Sequence, residues 1–315
     1  MSTLFVASTG GHLAQLHELA DRIDDGRRGD RLWVTFDSEQ GRTLLDGEDR
    51  LFIPYIAERD VAGVGRAMWY AKRIIGKRKT ITRVVSTGSG IALSFLPYAA
   101  LRGIEAHYIE SAARVGQPSL TGRLLQSVPG IRLYRQYPHV SHGNWRFGGS
   151  VFDGFESVSV EPRPLRRVVV TLGMERGFRR LLERAAAILP SEIDVLWQTG
   201  PTPVDGLDLA ARPFVAAQAL DKAMHEADVV VAHAGCGSAL AALKAGKFPI
   251  LVPRDPRHNE VVDMHQIEIA RWLSRQGLAL ERAPEELSLA DFETAARRAV
   301  IRTVELPPFR LAKAA

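Results

Sequence analysis

The chain opens with a segment that decides its fold class: Leu4-Phe5-Val6-Ala7-Ser8-Thr9-Gly10-Gly11-His12. Its four apolar residues predict a buried strand, and the two glycines end that strand in a turn. Apolar residues then recur at the spacing of one helix face, at Leu13, Leu16, Leu19, Ala20 and Ile23. A strand, a glycine loop and a helix in this order predict the start of an α/β unit with a parallel sheet.

The same pattern continues through both halves of the chain. In the first half, strands are predicted at residues 32–36, 84–85, 106–109 and 131–134. In the second half, strands are predicted at residues 167–172, 193–198, 229–232 and 249–252, with helices at 178–189, 219–227 and 238–245. Pro162 and Pro164 disfavour regular structure between the halves. We therefore predict two Rossmann-like domains, residues 1–160 and 161–315, that face a central cleft.

The composition limits where the protein works. A single cysteine, Cys236, excludes an internal disulfide framework and indicates a reducing, cytoplasmic compartment. The amino terminus has no basic leader, so we interpret residues 4–7 as a first strand and not as part of a signal peptide. The longest apolar stretch, residues 91–101, contains Pro97 and is too short to span a bilayer, so we expect no transmembrane helix.

Positive charge is concentrated in one half of the sequence. The chain has a net charge of +5, but the segment from Val61 to Phe152 alone carries 13 Lys or Arg and only two acidic residues. A partner with dense negative charge is expected there: an anionic lipid surface, a diphosphate or a nucleic acid. The alternative is a solvated basic face without a partner. We expect no nucleic acid, because the sequence has no recognised binding module and no interleaved aromatic residues.

Three glycine-rich loops follow predicted strands and precede predicted helices: Ser8 to His12, Ser86 to Gly90, and His233 to Ser238. Each can present backbone N–H groups at a helix amino terminus, which favours phosphate. The alternative is a tight turn that needs glycine for its geometry alone. His12 directly follows two glycines, so its imidazole is placed beside a phosphate or a reacting hydroxyl and is a candidate general base.

Other enzyme classes fit the sequence less well. Asp37 follows the second strand as the ribose-binding acid of a dehydrogenase would, but no glycine loop has the three-glycine spacing of that fingerprint. No serine lies in a nucleophile elbow, and Cys236 between two glycines is interpreted as a packing or phosphate-loop residue. The histidines have no metal-ligand spacing on one helix face, so we expect no metal and no other cofactor.

Several blocks of the sequence resemble one group of glycosyltransferases. In the first half these are Ser8 to His12, Val84 to Gly90, Ile109 to Arg114 and Pro118 to Arg123. In the second half they are Val170 to Gly173, His233 to Ser238, Gly246-Lys247, Pro253-Arg254 and Asn259 to Gln266. The chain resembles a fusion of the membrane-associated and catalytic subunits of the dolichol-linked N-acetylglucosaminyltransferase, and it is similar to their bacterial capsule and exopolysaccharide counterparts. The peptidoglycan enzyme that adds N-acetylglucosamine to a lipid intermediate is a more distant relative.

The resemblance implies a GT-B fold and a metal-independent, inverting reaction. The first domain would face the membrane and bind a polyprenyl-diphosphate-linked saccharide, and the second would bind a UDP-sugar. The protein would lie peripherally on the inner face of the plasma membrane. Alternatives are a non-hydrolysing nucleotide-sugar epimerase, which shares this architecture, and a non-catalytic partner that binds membrane and nucleotide sugar and recruits another transferase.

The resemblance also assigns roles to individual residues. His12 is the first candidate for the general base. Glu110 is the second, because a carboxylate just past a strand end in a basic neighbourhood is expected to be ionised and available. The implied donor-binding residues are Gly173, His233, Gly235, Gly237, Ser238, Glu260, His265 and Gln266. The implied acceptor and phosphate residues are Gly10, Gly11, Gly88, Ser89, Gly90, Ser111, Arg114, Ser119 and Thr121. Two departures from the relatives concern the donor site: Ala241 stands where many have a ribose-binding glutamate, and Val261 where many have histidine.

One amphipathic segment predicts contact with lipid. Apolar residues recur at helical spacing at Val64, Ala67, Met68, Ala71, Ile74 and Ile75. Trp69 and a series of cations that ends in Lys77-Arg78-Lys79 flank this stripe, as in a helix that lies on an anionic surface. The alternative is that the stripe packs on the sheet and the cations face water.

Overall fold

A computed structural model describes residues 2–23, 31–57, 60–140, 143–174 and 176–312. The chain divides into two compact units, residues 1–153 with 306–315 and residues 154–305. The sequence placed this boundary after residue 160. The structure draws it earlier because Phe155–Ser159 pairs with Arg298–Arg302 inside the second unit. The final segment returns to the first unit, where the Phe309 N–H donates to the carbonyl of Arg22.

The sheet of the first unit is parallel, and its described strands have the order β3-β2-β1-β4-β5-β6-β7. Their bounds are β1 Ser2–Ala7, β2 Arg31–Phe36, β3 Arg50–Ile53, β4 Ile81–Gly88, β5 Glu105–Ile109, β6 Ile131–Arg135 and β7 Trp145–Phe147. The five strands predicted from the sequence are confirmed, and β3 and β7 were not predicted. The strand order reverses between β1 and β4, so the loops after these two strands lie where open α/β sheets bind ligands.

The helices of the first unit cover the sheet. They are α1 Gly11–Ile23, α2 Glu39–Leu44, α3 Val61–Lys77, α4 Ala92–Leu101 and α5 Leu120–Gln126. The apolar residues of α1 are buried at the predicted spacing, so the strand, loop and helix read from the opening segment are confirmed. Among the described residues, no helix is both long enough and apolar enough to cross a bilayer.

Helix α3 corrects the expectation of a lipid-facing apolar stripe. Ala67, Ala71 and Ile75 are buried in the core of the unit, and Val64 and Ile74 pack against that core. The stripe therefore packs on the protein, which is the alternative that the sequence left open. The opposite face of α3 is exposed and carries an aromatic ring and four cations. We call Arg66, Trp69, Lys72, Arg73 and Lys77 the cationic face of α3.

The second unit repeats the architecture of the first. Its described strands form a parallel sheet in the order β11-β10-β9-β12-β13-β14. Their bounds are β9 Arg167–Thr171, β10 Asp194–Gln198, β11 Ala211–Arg212, β12 Val229–Ala232, β13 Ile250–Leu251 and β14 Leu280–Glu281. The antiparallel pair of this unit is β8 Phe155–Ser159 with β15 Arg298–Arg302. The helices are α6 Arg179–Ile188, α7 Ala217–Glu226, α8 Cys236–Lys244, α9 His265–Arg275 and α10 Leu289–Ala296.

The order of this second sheet also reverses next to its first strand. β9 lies between β10 and β12, so the loops after β9 and β12 leave the same edge of the sheet on neighbouring strands. These loops contain Gly173 and the segment His233 to Ser238. The four strands and three helices predicted for this half are confirmed, and they bring the predicted glycine loop His233 to Ser238 next to Gly173 at the carboxyl edge.

Candidate functional site

His233 is the centre of the carboxyl edge of the second sheet. Its ring lies between Gly173 and Gly235, and only 8% of the residue is exposed. A Cβ atom added to Gly173 would lie 2.6 Å from the ring Cε1, and one added to Gly235 would lie 2.3 Å from Nε2. Gly173 also has φ +69°, which disfavours any side chain. Only glycine fits at either position. Gly173 and Gly235 therefore pack directly on His233, and all three were predicted to bind the donor sugar nucleotide.

The imidazole of His233 is neutral at physiological pH. Burial lowers the pKa of His233 to about 3, and the nearby charges of Arg254 and His265 act in the same direction. Its Nδ1 lies 3.4 Å from the carbonyl oxygen of Thr171, which can only accept, so Nδ1 carries the proton. His233 therefore lines the site as an uncharged side chain and does not act as a base.

Helix α8 begins directly after this histidine, with Gly235 at its N-cap. Gly237 lies exposed in the first turn, and a Cβ atom added there would meet no atom within 4 Å. The first N–H groups of an α-helix have no acceptor within the helix, and the dipole adds positive potential at this end. The start of α8, including the half-buried Ser238, is thus suited to an anion such as a diphosphate. Burial raises the pKa of the Cys236 thiol to about 12, which makes it unsuitable as a nucleophile.

A third loop, after β10, completes this edge and was missed from the sequence. Gly200 has φ +57°, and a Cβ atom there would lie 2.1 Å from the carbonyl oxygen of Gly173. Thr202 accepts a hydrogen bond from the Phe178 N–H and donates one to the Thr199 carbonyl. The available signal was the position of Gly200, which follows a predicted strand in the same way as Gly173 does. The site is therefore built from the loops after β9, β10 and β12.

The predicted sugar-binding segment, residues 259–266, is held by the protein itself. Both oxygens of Glu260 accept from Arg180 at 2.9 Å, and one also accepts from the N–H of Asp255. Glu260 must exchange these bonds to reach a ligand. His265 is paired with Asp263 through Nδ1.

A hydrogen bond between Gln266 and Arg254 holds the connection from β13 to α9. Gln266 is buried at the start of α9, and its side-chain oxygen accepts from the N–H of Arg254 at 3.1 Å. The residue predicted to bind a sugar hydroxyl thus also orders the backbone after β13. Ala241 is half-buried within α8 and leaves no carboxylate at the position where relatives have one.

In the first unit, His12 is the side chain best suited to proton transfer. It is half-buried at the start of α1, and its Nδ1 lies 2.7 Å from the carbonyl oxygen of Thr87. Because a carbonyl can only accept, Nδ1 carries the proton and Nε2 holds the lone pair of the neutral ring. Thr87 in turn donates its hydroxyl to the His12 carbonyl at 2.8 Å. These two bonds orient the ring as a general base requires.

The predicted glycine and serine residues around His12 have different environments. Gly88 has φ +105°, and a Cβ atom there would lie 3.2 Å from the His12 ring, so the ring rests against this glycine. The N–H of Ser89 donates to the Ser8 hydroxyl, which joins the loops after β1 and β4. Gly90 packs towards Ile56 and Val64, which indicates a turn residue.

Gly10 and Gly11 are exposed at the start of α1, where the sequence predicted phosphate binding. The N–H of Gly10 donates to the side-chain oxygen of Gln40, and the side-chain nitrogen of Gln40 donates to the Gly10 carbonyl at 3.0 Å. An anion at this helix end would compete with Gln40 for the Gly10 N–H.

Glu110 does not have the availability that the sequence predicted. It is 1% exposed, and its carboxylate accepts from the Tyr108 hydroxyl and the Ser111 N–H. Its other oxygen accepts from the N–H and the hydroxyl of Ser119, at 2.8 and 3.0 Å. A Cβ atom added to Gly122 would lie 2.4 Å from this carboxylate. Four donors and this enclosure make Glu110 a positioning residue for the loop after β5, which leaves His12 as the candidate base.

The remaining predicted acceptor residues lie along the same loop. Ser111 accepts from the Gln15 side chain, and Ser119 caps the first turn of α5 by accepting from Gly122. Thr121 is half-buried in that turn, and Arg114 is half-buried where the loop leaves the sheet. Gln15 lies on α1 one turn after His12. The structure thus links the loop to the helix that carries the candidate base.

Comparison with known proteins finds a family model that matches part of the second unit. Residues 168–291 match the model of the glycosyltransferase family 28 C-terminal domain. This range begins in β9, ends in α10 and contains the loops around His233. The matched range thus lies within the second unit.

One curated relative and two solved structures extend the comparison. UDP-N-acetylglucosamine transferase subunit ALG13 of Yarrowia lipolytica is 45% identical over 53 residues, 17% of this chain. The chain matches only 25% of that protein's length. MurG of Acinetobacter baumannii has a TM-score of 0.60 and 20% identity, over 93% of this chain and 89% of that one. SsfS6 of Streptomyces sp. SF2575, complexed with thymidine diphosphate, has a TM-score of 0.52 and 19% identity, over 94% and 90%. These likenesses confirm the predicted GT-B fold with two Rossmann-like units.

Proposed function

We propose that this protein is an inverting glycosyltransferase that moves a sugar from a UDP-sugar to a polyprenyl-diphosphate-linked saccharide. The second unit binds the donor, and the first unit binds the acceptor. One observation carries this proposal: within a glycosyltransferase family 28 C-terminal domain, a neutral His233 is packed between two glycines at the open amino terminus of α8. Backbone N–H donors at a helix amino terminus are suited to a leaving diphosphate.

The comparisons support a nucleoside diphosphate on the second unit. ALG13 is named as a subunit of a UDP-N-acetylglucosamine transferase, and SsfS6 was solved with thymidine diphosphate. Both names concern a pyrimidine nucleotide with two phosphates, and the start of α8 can neutralise such a group without a metal ion. A uridine diphosphate sugar is the donor that we assign to this chain.

The chemistry on the first unit follows from the orientation of His12. Its Nε2 takes the proton of an acceptor hydroxyl, and the oxygen attacks the anomeric carbon of the donor sugar. The bond from that carbon to the diphosphate breaks, and its electron pair leaves with UDP, whose charge the start of α8 stabilises. One displacement with no covalent intermediate inverts the anomeric centre.

The exposed surface of the first unit supports a membrane-borne acceptor. Trp69 is 53% exposed on the cationic face of α3, and Arg73 stacks over its ring at 5.2 Å. An exposed indole among cations is suited to the interface of an anionic leaflet. Part of the predicted charge is neutralised, because Arg66 pairs with Asp60 and Arg78 pairs with Asp49. We propose peripheral binding through the remainder, on the cytoplasmic face of the plasma membrane.

A panel of UDP-sugars with a polyprenyl-diphosphate-linked saccharide tests the proposed function. We expect one donor to release UDP only when the acceptor is present, together with an elongated lipid in equal amount. Interconversion of the donor sugar without acceptor would instead identify an epimerase. Binding of UDP-sugars with no turnover across the panel would identify a non-catalytic partner, and either result overturns the proposal.

A further inference from the structure

Arg254, directly after β13, is an almost completely buried cation on the carboxyl edge of the second sheet. It is 3% exposed. One guanidinium nitrogen donates to the carbonyl of Leu172 at 2.6 Å and also to the carbonyl of Arg176. The Nε donates to the carbonyl of Gly177 at 3.3 Å. Its three acceptors all belong to the loop between β9 and α6.

Two further contacts fix Arg254 in the second unit, one through its guanidinium and one through its backbone. Its carbon lies 5.5 Å from the centroid of the buried Phe178 ring, in cation–π contact. The backbone N–H of Arg254 donates to the side-chain oxygen of Gln266 at the start of α9. Arg254 thus joins the loop after β9 to the loop after β13, across the strand that carries His233.

The loop that Arg254 holds contains Gly173, on which the site depends. Gly173 supports the His233 ring on one side, and its carbonyl oxygen is so close to Gly200 that no Cβ fits there. If Leu172, Arg176 and Gly177 lose their common donor, their carbonyls become unsatisfied near the site, and the loop must move to find water. A shift of Gly173 would release His233 from its position beside α8.

We propose that Arg254 is a positioning residue for donor binding, which holds the loop after β9 so that Gly173 and His233 leave the amino terminus of α8 open to the diphosphate. The inference rests on the proposed function, because the ligand is the diphosphate of the donor. Arg254 acts through the loop and does not take part in the transfer step.

Three variants test this role, each compared with the wild type. Arg254→Met removes the donors and keeps much of the side-chain volume, whereas Arg254→Lys retains a charge and N–H donors without the planar fork. Arg184→Met is the matched control, because Arg184 is half-buried in α6 and donates to the carbonyl of Leu287 at 2.7 Å. Circular dichroism and the melting temperature report whether each variant folds.

The first measurement is the affinity for UDP alone, by isothermal titration. We expect Arg254→Met to weaken UDP binding at least tenfold, Arg254→Lys to recover part of that loss, and Arg184→Met to bind as the wild type does. In the transfer reaction, the KM for the donor should rise while kcat at saturating donor stays within about threefold, as for lost ground-state binding. If Arg254 only stabilised the fold, Arg254→Met would lower the fraction of active enzyme and leave the KM for the donor unchanged.

The second measurement needs no ligand. Hydrogen exchange at the amides of Gly173, Met174 and Gly177 should accelerate at least tenfold in Arg254→Met and remain unchanged in Arg184→Met. Unchanged exchange there, or an equal loss of UDP affinity in the Arg184→Met control, overturns the proposal. If the wild type does not bind UDP, the proposed donor is wrong, and the exchange experiment still decides whether Arg254 holds the loop. If Arg254→Met does not fold, Arg254→Lys provides the same comparisons.

Discussion

The carboxyl edges of the two sheets are built in the same way but hold their histidines differently. Each edge has a buried arginine that donates to three main-chain carbonyls of one loop, Arg135 in the first unit and Arg254 in the second. Each guanidinium also stacks on an aromatic ring, Trp145 at 5.6 Å and Phe178 at 5.5 Å. Similar supports therefore order the loops in both units, and the difference in function must come from the side chains that the loops present.

The two imidazoles show that difference. His12 is half-buried, and its ring is oriented by a 2.7 Å bond to Thr87. His233 is buried between glycines, and its pKa is lowered to about 3. The equivalent edges of the two sheets thus hold one half-buried imidazole that is oriented by a hydrogen bond and one that is enclosed between glycines and neutral.

The largest effect is expected from His12→Ala. If His12 is the general base, kcat should fall by about 10²- to 10⁴-fold, because that is the usual contribution of one positioned proton acceptor. The affinity for UDP should not change, since the donor belongs to the second unit. Initial-rate kinetics with saturating donor and UDP titration measure the two quantities. A variant with near wild-type kcat would remove His12 from the mechanism.

The next effect concerns Gly235, which has no room for a side chain beside His233. Gly235→Ala should weaken UDP binding by about 5- to 150-fold, the range that corresponds to the cost of about 1–3 kcal/mol of an overpacked site. Gly237→Ala is the matched control, because the same methyl group meets no atom within 4 Å there. We expect Gly235→Ala to lower the melting temperature and Gly237→Ala to leave it unchanged. Equal UDP affinity of Gly235→Ala and the wild type would refute the packing argument.

Buried neutral histidines should make stability fall in acid. Burial lowers the pKa of His107 to about 4 and that of His233 to about 3, from an ordinary value of 6.5. Between the unfolded and folded values, the unfolded chain binds protons that the folded chain does not, so stability is complete above pH 6.5 and is lost as the pH falls below it. Each histidine should contribute a slope of up to about 1.4 kcal/mol per pH unit.

Urea unfolding at pH 7 and pH 5 measures this slope. His107→Gln and His233→Gln should each reduce the acid loss of unfolding free energy, because glutamine does not titrate. The pKa values of both folded-state imidazoles lie below pH 5, so the two variants should lose similar amounts of the pH dependence. Wild-type pH dependence in both variants would contradict the assignment of neutral buried imidazoles.

Most of the fold could be predicted from local patterns in the sequence. Apolar runs that end in glycine predicted the strands next to both switch points, because a buried strand and its turn are specified within about ten residues. The antiparallel pair of β8 and β15 was not predicted. Its two strands are separated by more than a hundred residues, so no local sequence pattern indicates that they pair. The boundary between the units shifted for the same reason.

The site was predictable in its residues and less so in their roles. The glycines around His233 were identified, but the clash geometry that requires them depends on the loops after three different strands. The sequence predicted that the Glu110 carboxylate is available for catalysis. In the structure Tyr108 and Ser119 donate to it, and nothing in the sequence indicates these contacts. Arg254 lies 82 residues from Leu172, one of its acceptors, and a cation that bonds to main-chain carbonyls has no complementary residue to search for.

The smallest effect is expected on the membrane side, where the two units should differ in their surfaces. Lys72→Glu reverses a charge on the cationic face of α3, and Lys222→Glu makes the same change on the exposed face of α7 in the second unit. Each basic residue near an anionic leaflet contributes about 1 kcal/mol, so Lys72→Glu should reduce partitioning to phosphatidylserine vesicles at low salt by roughly five- to thirtyfold. Lys222→Glu should bind as the wild type does, because its charge lies in the donor-binding unit. Sedimentation with vesicles measures both, and an equal loss in the two variants would mean that net charge, and not the face of α3, governs the interaction.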